Sequence, residues 1–148
     1  MKFFIISPGK KPDDETKLLI DEYEKRLSQH IAVEWLFPLA GSGTEEAERI
    51  DKALKESDLI ICLDERGKEL SSEELSAKMN NWIGSGKGRV VFVIGGAYGI
   101  DQSILSRAHF VWSLSKLTFP HRLVRLILAE QLYRGMSILH GGKYHHGG

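Results

Sequence analysis

The sequence predicts an α/β fold, a mostly parallel sheet flanked by helices, and three observations carry that prediction. Short apolar runs of strand length alternate with helix-periodic segments along the whole chain. Residues 59–63 (Leu-Ile-Ile-Cys-Leu) and 90–94 (Val-Val-Phe-Val-Ile) are continuously apolar, as central parallel strands covered on both faces must be. The second of these runs into Gly95-Gly96-Ala97-Tyr98-Gly99, a glycine-rich turn at a strand end. No linker or internal repeat divides the chain, so one domain over residues 1–148 is expected.

Each element has a local cause. Residues 2–7 form a buried first strand that Pro8-Gly9 ends. Pro12 suits the first turn of a helix, Asp13, Asp14 and Glu15 suit its dipole, and Leu19, Ile20, Tyr23 and Leu27 recur at helical spacing. A second strand covers residues 31–37. Thr44 is the expected cap of the next helix, whose inner face carries Ala47, Ile50 and Leu54. After the strand at 59–63, residues 64–67 (Asp-Glu-Arg-Gly) read as a turn. Ser71 and Glu74 form a capping box that opens a helix to about residue 83. A short helix over 101–108, a last strand over 110–114 and a long helix from Pro120 to about residue 139 complete the order.

Composition bounds the setting. No apolar run approaches the roughly 18 residues of a membrane span, and the N-terminal apolar stretch is too short for a signal peptide. Cys62 has no second cysteine to pair with and sits in an apolar run, which suggests a buried core thiol. A cytoplasmic protein is expected. The formal net charge is zero, yet its distribution is uneven. From Gln102 onward stand Arg107, Lys116, Arg122, Arg125, Arg134 and Lys143 against the single acid Glu130, about +5, with about −5 on the remainder. Five of the six histidines share that basic third. Such asymmetry suits an anionic partner, with a chance cluster on a solvated face as the plain alternative.

The last helix is apolar most of the way round, because Leu123, Val124, Leu126, Ile127 and Leu128 are nearly contiguous. A chain of 148 residues has little room to surround a helix. One face on the sheet and another on a second copy, a homodimer, is the expected solution.

Residues 84–88 (Gly-Ser-Gly-Lys-Gly) resemble the end of a phosphate-binding loop, but Gly88 replaces the required Ser or Thr and the stretch precedes a strand. It reads as a flexible turn. Gly95-Gly96 after a central strand is different: it stands where open α/β sheets bind ligands, although a tight turn alone would also explain it.

Four stretches stand in order: Phe92-Val93-Ile94-Gly95-Gly96-Ala97-Tyr98-Gly99, Ser113-Leu114-Ser115-Lys116-Leu117-Thr118-Phe119-Pro120-His121, Glu130-Gln131-Leu132-Tyr133-Arg134, and Tyr144-His145-His146. In this combination the chain closely resembles the ribosomal RNA large subunit methyltransferase H family, over nearly its full length. Gly9-Lys10 and Leu63-Asp64-Glu65-Arg66-Gly67-Lys68 belong to the likeness. The resemblance implies a SPOUT-type fold with a deep C-terminal trefoil knot, an obligate homodimer, and S-adenosylmethionine held by knot loops near the dimer interface. It further implies methylation of N3 of a pseudouridine in large-subunit ribosomal RNA on the ribosome. Carried over by motif, Leu63, Gly95, Leu114, Ser115, Lys116, Leu117, Thr118 and Phe119 should enclose the cofactor. Leu63 and Leu114 would also suit plain core packing.

The tail departs from the family pattern. Lys143 stands where proline usually precedes Tyr-His, and Gly147-Gly148 follow the histidines. Candidates for the chemistry are His121, Arg134, Tyr144 and His145: Arg134 to orient the base or a phosphate, Tyr144 to stack on or hydrogen-bond the base, and His145 to accept a proton or bind phosphate. His121 equally suits local contacts at a helix start. Lys10, Lys11, Arg122, Arg125 and Lys143 are candidate phosphate contacts. Two other functions compete: a SPOUT methyltransferase acting on another RNA nucleotide, and a ribosome-binding module without catalysis. Metal binding through His140, His145 and His146 is a weaker idea, since the tail reads as a loop and no acid or thiol completes the set.

Overall fold

The computed structural model describes residues 1–147; Gly148, the last residue of the departing tail, lies outside them. Five parallel strands stand in the order β2-β1-β4-β3-β5. They are β1 (Lys2–Ile6), β2 (Ala32–Leu36), β3 (Asp58–Glu69), β4 (Arg89–Ile94) and β5 (Phe110–Ser113). Between and after them run α1 (Asp14–Leu27), α2 (Gly43–Ala53), α3 (Ser72–Ile83), α4 (Gln102–Leu105), α5 (His121–Leu139) and α6 (Tyr144–Gly147). The expected α/β class and parallel sheet are therefore present.

Strand side chains alternate faces, so each central strand feeds two cores. Phe3, Ile5, Ile61, Val90 and Phe92 pack with Leu27 of α1, Leu75 and Met79 of α3, and Leu128, Leu132 and Met136 of α5. Phe4, Ile6, Ile60, Cys62, Val91 and Val93 pack on the other face with Ala47 and Ile50 of α2 and Ile104 of α4. Cys62 is fully buried, and burial pushes its thiol up to about 12, so it stays an inert core group. No helix among the described residues is long and apolar enough to cross a membrane.

Several elements begin elsewhere than expected. Ser42, not Thr44, caps α2: its hydroxyl accepts from Glu45 N, and Glu45 reaches back to the Ser42 N–H. Ser42 has a carboxylate three residues on; Thr44 has Ala47 there and cannot close the box. Asp13 caps α1, which leaves Pro12 before the helix rather than in its first turn. Residues 64–67 do not turn out of the sheet. They form an irregular bulge within β3, which rejoins β5 with Lys68 opposite Trp112. Gly67 permits this, because a Cβ there would lie 2.5 Å from the Val111 carbonyl oxygen.

The opposite end of the sheet is closed by an ion pair. Arg89 Nε and Nη2 donate to the two Asp58 carboxylate oxygens at 2.7 and 3.0 Å, and Nη2 also donates to the Ala53 carbonyl. Both side chains are nearly inaccessible, so each charge depends on the other.

Candidate functional site

A cleft of about 620 Å³ opens at the carboxyl ends of β3, β4 and β5, within the usual size range of small-ligand sites. Leu63, Gly95, Leu114, Ser115, Leu117, Thr118 and Phe119 line it, together with Asp64, Glu65, Arg66 and His121. The structure thus gathers seven of the eight residues expected around a cofactor. Lys116 is the exception: it does not line the cleft, and its ammonium lies 3.9 Å from Glu69 on the exposed surface.

The sequence builds this cleft from loops with close backbone approaches and their own hydrogen bonds. Gly95 enters a tight loop in which a Cβ would lie 2.6 Å from the Gly99 carbonyl carbon. A Cβ on neighbouring Gly96 would collide with the buried carboxylate of Glu46. The loop after β5 is held by its own serines. Ser113 Oγ donates to the Ser115 carbonyl at 2.9 Å, and Leu117 N donates to Ser115 Oγ at 3.0 Å. Thr118 Oγ1 donates to Glu65 at 3.1 Å and joins that loop to the β3 bulge. Asp64 is held below the usual carboxylate range by hydrogen bonds from Arg66.

These groups fit the cofactor that the sequence resemblance implies. Leu63, Leu114, Leu117 and Phe119 offer apolar walls to a flat ring. The Glu65 carboxylate would offer negative charge to a ligand that carries a sulfonium and an ammonium, while Asp64 on the same wall is already paired with Arg66.

The four chemical candidates do not come together. His121 begins α5 at the cleft, whereas Arg134, Tyr144 and His145 do not line it. Arg134 lies 13 residues along the same helix, about 20 Å away at 1.5 Å per residue. There it forms a second cluster. Arg134 Nε and Nη2 donate to Glu130 Oε2 at 3.1 and 2.8 Å, and Tyr144 Oη donates to the same oxygen at 2.8 Å. The Arg134 guanidinium lies 4.8 Å from the Tyr144 ring centroid. Its Nη1 is 2.9 Å from His145 Nδ1; since arginine only donates, Nδ1 accepts and His145 carries its proton on Nε2. That nitrogen donates to Glu73 at 3.1 Å. Burial and the bond to Glu130 push the Tyr144 phenol well above its ordinary value, so it stays a neutral donor.

Two expectations need correction. Arg125 is not a free phosphate contact: it is buried and spends its donors on Ser7, Pro8 and Lys10. The tail, read as loop, forms the short helix α6, and no group of three or more potential metal ligands occurs among the described residues. Glu130, Glu73 and Ser7 were not among the sequence candidates. Glu130 had a visible signal, being the one acid of the basic third and four residues before Arg134. Ser7 and Glu73 had none.

A parallel α/β sheet with a glycine loop and a ligand-sized cleft at its strand ends is the layout of proteins that bind a nucleotide-like ligand there. The chain belongs to the SPOUT methyltransferase family: residues 1–145 match the model described as "Predicted SPOUT methyltransferase". It is 46% identical to the ribosomal RNA large subunit methyltransferase H of Acetivibrio thermocellus, over 98% of this chain and 99% of that one. Identity to the protein of the same name from Francisella philomiragia is 45%, with the same coverage of both chains. A probable methylase family protein from Haemophilus influenzae Rd KW20 shares the fold, with a TM-score of 0.56 at 12% identity over 97% of this chain and 69% of that one.

Proposed function

We propose that this chain methylates N3 of a pseudouridine in large-subunit ribosomal RNA, using S-adenosylmethionine, as a cytoplasmic enzyme acting on the assembled ribosome. The observation that carries the reading is the cleft built by the Gly95 loop, the β3 bulge and the loop after β5, in a chain so similar to relatives named for that reaction class. The SPOUT relationship also supports a trefoil knot in the C-terminal part.

When bound, the cofactor supplies a methyl group already activated on sulfur. The protein's work is to hold N3 against that methyl and to remove the imide proton. On substrate binding Arg134 turns from His145 Nδ1 to the base or its phosphate, Tyr144 leaves Glu130 to stack on the base or donate to it as a neutral phenol, and the freed Nδ1 of His145 takes the N3 proton. Because these groups stand about 20 Å along α5 from the cleft of their own chain, the reaction needs a second copy. A homodimer that lays one tail over the other cleft meets that need. The outer side of the α1–α5 layer suits it, with Leu18, Leu19 and Leu123 exposed and Leu126 and Ile127 half-buried.

The test is transfer of labelled methyl from S-adenosylmethionine to ribosomes lacking the modification, followed by mass spectrometry of the digested large-subunit RNA. A methyl on N3 of a pseudouridine is the expected product. Tight cofactor binding without label in that RNA would move the substrate elsewhere.

A further inference from the structure

Ser7 follows β1 and is fully buried. Its hydroxyl oxygen accepts from Arg125 Nε at 2.7 Å and lies 3.2 Å from His121 Nε2. Arg125 is itself locked. Nη1 donates to the Lys10 carbonyl at 2.7 Å, Nη2 donates to the Pro8 carbonyl at 3.2 Å, and the guanidinium lies 4.7 Å from the Phe37 ring centroid.

The direction of each bond follows from chemistry. A guanidinium cannot accept, so Ser7 must accept from Arg125. The Ser7 hydroxyl proton then needs another acceptor, and among the described residues His121 Nε2 is the one within reach. The opposite arrangement, with Nε2–H donating to Ser7, would leave a buried hydroxyl proton with no partner. Nε2 therefore accepts, and the one proton of the neutral ring sits on Nδ1. A second proton on the ring would face Ser7 and the Arg125 cation. Burial, then that cation, push the imidazole below its ordinary value. Asp64, Glu65 and Arg66 are the charged groups on the rest of the cleft wall.

We propose that Ser7 and Arg125 are positioning residues that hold His121 as the neutral Nδ1–H tautomer, making it a hydrogen-bond donor to a ligand oxygen in the cleft. The tautomer stands without any assigned reaction; the donor role rests on the methyl-transfer reading above. N3 of a pseudouridine lies between two carbonyl groups. As N3 gives its proton to His145, charge builds on those oxygens, and a fixed donor stabilises it. The N3–carbon bond then forms while the methyl–sulfur bond breaks, its electron pair staying on sulfur. The other oxygen of suitable chemistry is the cofactor's own carboxylate.

Two-bond ¹H–¹⁵N correlation spectra of histidine-labelled protein at pH 7 test the tautomer, with His121 assigned through His121→Asn. The neutral Nδ1–H pattern is expected in the native protein and should be lost in Ser7→Ala; a native Nε2–H or doubly protonated pattern overturns the proposal. Kinetics test the donor. Asparagine places an N–H near the Nδ1 position and glutamine places one near Nε2. His121→Asn should keep kcat within about 5-fold of native while His121→Gln loses roughly 50-fold, and equal losses overturn the donor role. His121→Ala separates the two oxygens. A roughly 10-fold loss of S-adenosylmethionine affinity without ribosomes assigns the carboxylate, and unchanged affinity with lowered kcat assigns the base. No change in either contradicts a donor. The spectra need no substrate, so a failure of the methylation reading, seen as absent label with the native protein, is separately visible.

Discussion

The two ends of α5 carry different kinds of site. At its start, His121 meets Ser7 and the walls of a cleft that one chain builds by itself. At its far end, Arg134 meets Glu130, Tyr144 and His145 in a half-buried cluster, with a smaller cavity of about 420 Å³ nearby at Met136, Leu139 and His140. The start has a cleft that lacks the tail's phenol and imidazole; the end has those groups, but they line neither that cleft nor the smaller cavity. A rigid helix keeps the two about 20 Å apart within one protomer. Sharing a helix therefore separates residues as firmly as it can join them, and in the proposed dimer a second copy would supply both at once.

That contrast can be broken from either side. The largest effect is expected at the far end: replacing Tyr144 and His145 together with Ala should lower methylation by about 100-fold or more, with cofactor affinity within about 2-fold of native. Calorimetric titration beside turnover measures both, and unchanged turnover would remove the tail from the reaction. At the start, Gly95→Val should cost at least roughly 10-fold in S-adenosylmethionine affinity, because the added carbons meet the Gly99–Ile100 backbone. Native-like affinity would mean that the Gly95 loop does not hold the cofactor.

Away from both sites, Asp58→Ala strands Arg89 at the closed end of the sheet and should cost about 3–5 kcal/mol in urea unfolding. Cofactor affinity of the folded fraction should stay native, which separates stability from the site. The smallest effect is in pH. His121 has a depressed folded value, so below its ordinary 6.5 the unfolded chain binds a proton that the native chain resists. Stability should fall as pH drops from about 7 to 5, and His121→Asn should reduce that slope. His30, pushed down by burial and then by the His140 stacked on it, contributes in the same window, so part of the slope remains. An identical slope in His121→Asn would show that His121 is not the half-buried neutral group described.

Much of the fold was legible because its causes are local. The apolar runs of β3 and β4 and the box from Ser71 to Glu74 each lie within one stretch of chain, and each appears where expected. Errors came where long-range contacts decide. Residues 64–67 carry turn chemistry, but pairing with β5 keeps them in the sheet. Arg125 looked like one more cation of a basic third, because sequence does not say which arginine on a helix faces inward. Seven cleft residues were legible through the family motif. Ser7 was not, since its partner His121 stands 114 residues away and a lone serine at a strand end carries no signal.

The most direct test of a site shared between two chains is complementation. A Gly95→Val chain and a Tyr144→Ala/His145→Ala chain, each nearly inactive alone, are co-expressed with different tags and the mixed dimer is purified. Each mixed dimer then holds one intact cleft facing one intact tail. Methyl transfer to ribosomes should return to about half the native rate, as one working site in two. A mixed dimer as inactive as its parents would contradict a site built from one protomer's cleft and the other's tail.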